Sequence, residues 1–180
     1  KLPKLKIGNL VPEYPIVQGG MAIRVSTAPL AAAVANAGGI GLIAATGMST
    51  GELREEIHKA RKLSSGIIGI NIMYAVRDFA ALVRTAIEEK IDVIFSGAGF
   101  SRDIFTWGKE AKIPIVSIVS SSKLAAIAEK LGASAVVAEG VEAVGHLGTD
   151  KSLDEILPAI RKKIKIPLIA AGGIVEGKDM

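Results

Sequence analysis

The groups in this sequence that could do chemistry are one imidazole and a set of small polar residues spaced along the chain. His146 ends the stretch Glu139-Gly-Val-Glu-Ala-Val-Gly-His146, with Gly145 before it and Gly148 two positions beyond. A histidine in a glycine-rich loop is free of core packing and lies beside backbone that can approach a ligand closely. It also titrates near neutral pH, so it can orient an anion or move a proton. An ordinary surface-loop histidine is the alternative reading at this point. The second histidine, His58, falls within a helical pattern among charged residues and is expected to face solvent.

Several chemistries are excluded by residues the chain lacks. Cysteine is absent, which removes disulfides, thiolate metal sites and a cysteine nucleophile together. No lysine ends an apolar run, as a Schiff-base aldolase would require. No carboxylate–histidine set has metal-ligand spacing. The net charge is only +4, and Lys59, Arg61, Lys62, Arg161, Lys162 and Lys163 are interspersed with Glu55, Glu56, Glu88 and Glu89. That pattern belongs to solvated helix faces. With 4% aromatic residues and no basic stripe, nucleic acid is not an expected partner. No apolar run is long enough to cross a membrane and no basic-then-apolar leader is present, so the expectation is a soluble, cytoplasmic protein without a membrane partner.

The elements that must position these groups follow a regular alternation. Short apolar runs occur at Pro15–Gln18, Ile40–Ala44, Ile67–Asn71, Asp92–Ser96, Pro114–Val119, Ala135–Glu139 and Pro167–Ala171. Helical patterns at Thr27–Ala37, Thr50–Leu63, Asp78–Glu89, Ser101–Ala111, Ser122–Leu131 and Ser152–Ile164 separate them. Thr50, Asp78, Ser101 and Ser152 have the character of N-caps, and Ser152-Leu-Asp-Glu155 the form of a capping box. Strands that are apolar throughout are buried on both faces, as in a parallel sheet covered by helices. The steady βα period predicts an α/β fold of the TIM (β/α)8 barrel type. About the first seven strands are present, in a single domain over 1–180 that lacks its C-terminal part.

In such a barrel the chemistry lies at the carboxyl ends of the strands. Here those ends read Gln18-Gly-Gly-Met21, Ala44-Ala-Thr-Gly47, Asn71, Ser96-Gly-Ala-Gly99, Ser120-Ser121, Glu139-Gly140 and Ala171-Gly-Gly173. Gly172 and Gly173, after the seventh strand, could turn backbone N–H groups onto a phosphate, the reading favoured here over an ordinary tight turn. Gly19 and Gly20 would let backbone approach a flat ring, and Asn71 could either offer that ring both a donor and an acceptor or serve as a buried, satisfied structural amide. The longest βα interval is the one that holds His146, and extra length on this rim points to a binding or catalytic loop.

Six motifs in order carry a resemblance: Pro15-Ile-Val-Gln-Gly-Gly-Met21, Ala37-Gly-Gly-Ile-Gly41, Gly69-Ile-Asn71, Gly97-Ala-Gly99, Glu139-Gly-Val-Glu-Ala-Val-Gly-His146 and Ala170-Ala-Gly-Gly-Ile174. From Pro15 onward the chain resembles the 2-nitropropane dioxygenase-like flavoproteins. These include nitronate monooxygenases and the flavin-dependent enoyl-acyl carrier protein reductase II. The resemblance implies a TIM barrel that binds FMN. Gly20, Met21 and Ala22 would line the isoalloxazine, Asn71 would bond it, Glu139 and Gly145 would belong to the same wall, and Gly172 and Gly173 would take the phosphate. It implies His146 as the active-site histidine. The activity implied is oxidation of alkyl nitronates with O2 to carbonyl compounds and nitrite. One alternative is an NADH- and FMN-dependent reductase acting on an enoyl thioester, which the basic charge balance would suit through an acidic carrier protein. A barrel that keeps the phosphate cradle but performs no chemistry is another. A homodimer is compatible with the resemblance. Two departures stand out: Val144 occupies a position where the family commonly has glycine and is expected to crowd the loop, and the strand-eight segment with its Gly-Thr phosphate contact is missing.

Overall fold

In a computed structural model, which describes residues 2–99, 101–144 and 148–179, the chain forms two compact units, Lys1–Ile115 and Val116–Met180. The first unit contains α1 (Ala28–Asn36), β1 (Gly41–Ala44), α2 (Thr50–Leu63), β2 (Ile68–Met73), α3 (Phe79–Glu88), β3 (Val93–Gly97) and α4 (Asp103–Ala111). β4 (Ile115–Val119) opens the second unit. It is followed by α5 (Ser122–Leu131), β5 (Ala135–Glu139), α6 (Leu153–Arg161) and β6 (Leu168–Ala171). The α/β class and the parallel βα repeat of a TIM barrel are those expected from the sequence.

Within the first unit β1 pairs with β2 in parallel from Gly41↔Ile68 to Ala44↔Asn71, and β2 pairs with β3 from Gly69↔Val93 to Met73↔Gly97. Every residue of β1 and β3 is buried, which is why these runs show no polar alternation. Ile43, Ile68, Ile70, Ile72, Val93 and Ile94 are sealed from solvent. Each such side chain contributes about 1.5–3 kcal/mol of hydrophobic stabilisation. α2 turns Leu53, Ile57 and Ala60 inward, a stripe at i, i+4, i+7, and its first turn is capped by Ser49, whose Oγ accepts from Glu52 N at 3.1 Å. The cap is thus one residue earlier than Thr50. α4 likewise opens at Asp103 rather than Ser101.

In the second unit β4 pairs with β5 from Val116↔Ala135 to Val119↔Ala138, and β5 with β6 from Val136↔Leu168 to Glu139↔Ala171. Ser152 caps α6 by accepting from Glu155 N at 3.3 Å. α6 ends at Arg161, three residues short of the expected Ile164.

Among the described residues the seven expected strands become six and a bridge. Pro15–Gln18 does not form a strand; it is tied to the chain before β1 at the single parallel bridge Val17↔Ile40, through Ile40 N to Ile16 O (2.9 Å) and Gln18 N to Ile40 O (3.0 Å). Pro15 offers no N–H, and the glycines after Gln18 leave the ladder at once.

Candidate functional site

The polar residues of the first unit gather at the carboxyl ends of its strands. Asn71 lies within β2, opposite Ala44 in register, and is half-buried. Its Nδ2 donates to Gly20 O at 3.4 Å, while its Oδ1 is buried with no donor among the described residues. An unpartnered buried acceptor costs roughly 1–3 kcal/mol, so this one calls for a donor from a bound ligand or water. Gly20 is fitted to this amide: a Cβ on it would lie 2.7 Å from Asn71 Cγ. Met21 and Ala22 are exposed beside it. Thr46, after β1, accepts from Met73 N at 3.1 Å and fixes the end of β2.

In the second unit Gly172 and Gly173 leave β6 with φ of +111° and +69°, a backbone that only glycine adopts without strain. A Cβ on Gly172 would lie 2.8 Å from Ala143 N, and one on Gly173 3.3 Å from Glu142 Cβ. The N–H groups of both glycines have no acceptor among the described residues. Two free amides on a left-handed turn have the chemistry of an anion cradle. Glu139, paired with Ala171 just before it, has no partner for its carboxylate among the described residues, and burial pushes its pKa above the usual carboxylate range. Glu142 turns to α6, where both carboxylate oxygens accept from Leu153 N at 3.2 and 3.0 Å.

Gly145 and His146 lie outside the described residues. Val144, expected to crowd its loop, is fully exposed and crowds nothing described. His58 is exposed as expected, with Nε2 2.5 Å from Glu89 Oε2. Among the described residues no cluster of three metal-ligating side chains occurs, and no helix is long and apolar enough to cross a membrane.

A family model described as nitronate monooxygenase matches residues 4–180. The chain belongs to the nitronate monooxygenase family. A probable nitronate monooxygenase of Staphylococcus aureus (strain MSSA476) is 31% identical over 214 residues, covering 93% of this chain and 60% of the relative. Among solved structures, FabK from Thermotoga maritima is 38% identical with a TM-score of 0.90, covering 93% of this chain and 53% of its own. Nitroalkane oxidase from Streptomyces ansochromogenes is 26% identical with a TM-score of 0.87, over 93% and 61%. The chain thus spans 53% to 61% of the length of these relatives.

Membership of the nitronate monooxygenase family makes the chain part of an oxidoreductase family and accounts for the motif order, but the structure divides the motif glycines by purpose. Gly41 and Gly69 are packing residues. A Cβ on Gly41 would fall 2.6 Å from Ala31 C, and one on Gly69 2.6 Å from Val93 Cγ1. Sequence reasoning missed Ser26, which is wholly buried among the polar groups of the Gln18–Met21 loop. A serine six residues past a glycine pair carries no local signal.

Proposed function

We propose that the protein is an FMN-dependent oxidoreductase that oxidises alkyl nitronates with O2 to carbonyl compounds and nitrite, acting as a single FMN-binding domain in the cytoplasm. The observation that carries the FMN assignment is the buried, donorless Oδ1 of Asn71 beside a glycine whose missing Cβ makes room for that amide. Family membership supports the nitronate substrate. In this reading Gly20, Met21, Ala22 and Asn71 hold the isoalloxazine, and Glu139 and Gly145 are further cofactor-binding residues. Gly172 and Gly173 hold the phosphate. Bound FMN would supply the redox chemistry between nitronate and O2.

The chain's own residues then bind, orient and handle protons. Asn71 fixes the ring through the one acceptor it has free. Gly172 and Gly173 offer an anion N–H groups that have no acceptor among the described residues. His146 orients the anionic nitronate, or takes the proton from a neutral nitroalkane at an imidazole nitrogen.

A second reading, reduction of an enoyl thioester by NADH, is kept because identity with FabK (38%) exceeds that with the nitroalkane oxidase (26%). Full-length protein decides between them. Nitrite release from a nitronate in air without nicotinamide supports the monooxygenase. Bleaching of the flavin by NADH under nitrogen, with reoxidation by an enoyl thioester, supports the reductase. Full-length protein that purifies colourless and takes up no FMN overturns both and leaves a non-catalytic barrel.

A further inference from the structure

Ser26 sits at the centre of a hydrogen-bond hub that no functional role yet covers. It is fully buried. Its Oγ accepts from Met21 N at 2.9 Å and from Gln18 Nε2 at 2.8 Å, and donates to Gly19 O at 3.1 Å. A hydroxyl has one proton and two lone pairs, so all of its bonding capacity is used within this loop. Its backbone is equally committed: Ser26 N donates to Met21 O at 2.9 Å, and Ser26 O accepts from Ala44 N at 2.8 Å, at the end of β1. Gln18 closes the circuit. Its N donates to Ile40 O at 3.0 Å and its Oε1 accepts from Leu42 N at 3.1 Å, so the loop hangs from β1 at both ends.

We infer that Ser26 is a positioning residue which, with Gln18, sets the Gly19–Met21 loop at the height the flavin needs. The inference rests on the FMN reading above. Ser26 has no bond left to offer a ligand and so acts only through the loop. The N–H of Met21 is taken by Ser26, whereas those of Gly20 and Ala22 have no acceptor among the described residues. Ser26 therefore selects which loop amides remain free. From the other side Asn71 Nδ2 donates to Gly20 O, so a loop that slips also moves the amide carrying the unpartnered acceptor.

The test uses full-length protein and four readouts: FMN affinity by fluorescence quenching, the visible spectrum of bound flavin, melting temperature without flavin, and hydrogen exchange of the Met21 amide in flavin-free protein. Ser26→Ala is expected to speed Met21 exchange, to weaken FMN roughly tenfold, the size of one lost buried hydrogen bond, and to shift the flavin bands. Ser26→Thr, which keeps the hydroxyl, is expected to restore all three. If Ser26→Ala does not fold, Gln18→Glu decides, since it keeps the acceptor for Leu42 N but removes the donors to Ser26 and Gly19; it is expected to weaken FMN in the same sense. Faster exchange with unchanged affinity and spectrum would reduce Ser26 to a fold residue and overturn the inference. So would unchanged exchange, or a folded Ser26→Thr that behaves like Ser26→Ala. Wild-type protein that binds no FMN overturns the FMN reading, and with it the flavin-positioning role; the exchange result then stands only for the hold on the loop.

Discussion

Gly20 is a glycine because Asn71 occupies the space a side chain would need. Gly20→Ala is therefore expected to push the Asn71 amide aside and weaken FMN at least roughly tenfold. Because the added carbon would also overlap Asn71 Cβ, which is fixed to β2, the melting temperature is expected to fall as well. A fluorescence titration beside a thermal melt checks both halves. In the proposed function His146 acts on turnover rather than binding: His146→Ala is expected to retain flavin while lowering turnover by roughly 10²–10⁴-fold, the range of a lost acid–base group. Equal turnover in that variant would remove the imidazole from the mechanism.

Helix α1 and strand β1 show how elements, not single groups, set the spacing behind the site. α1 buries only alanines (Ala28, Ala31, Ala32 and Ala35), and Gly41 opens β1 against its backbone. Small residues on both partners let helix and strand approach closely, at the cost of any tolerance for added volume. Gly41→Ala is expected to destabilise the protein by about 3 kcal/mol, since the Cβ would meet backbone that cannot rotate away. Chemical denaturation of the variant measures this, and a loss below about 1 kcal/mol would show that α1 can shift outward.

Across the whole molecule two glutamates give stability opposite pH dependences. Glu129 accepts from Lys165 N at 2.7 Å and Ile166 N at 3.0 Å, and these bonds hold its pKa below the usual range. A depressed carboxylate contributes stability that is present above its unfolded pKa and is lost as the pH falls through the folded one. Burial raises Glu139, so its contribution is present in acid and is lost as the pH rises through its elevated pKa. Glu129→Gln is thus expected to lower the melting temperature at pH 7, and Glu139→Gln to raise it. Both differences should close in acid, which a series of melts across pH would show.

The sequence alone determined the α/β repeat. Runs that are apolar throughout, such as Gly41–Ala44 and Val93–Phe95, can be buried only between two layers, and the bounds of α2, α5 and β5 were legible from caps and periodicity. It also marked Asn71 and the paired glycines, because their types are out of place at the ends of apolar strands. What it could not give was the work each glycine does: Gly20, Gly41 and Gly172 are identical letters, and only neighbours distant in sequence make one a clearance for an amide, one a packing contact and one a left-handed turn. Ser26 was invisible for the same reason. Its three hydroxyl bonds and its burial exist only once β1 has brought Gln18, Met21 and Ala44 around it, since hydrogen bonding and desolvation are properties of surroundings rather than of residue type.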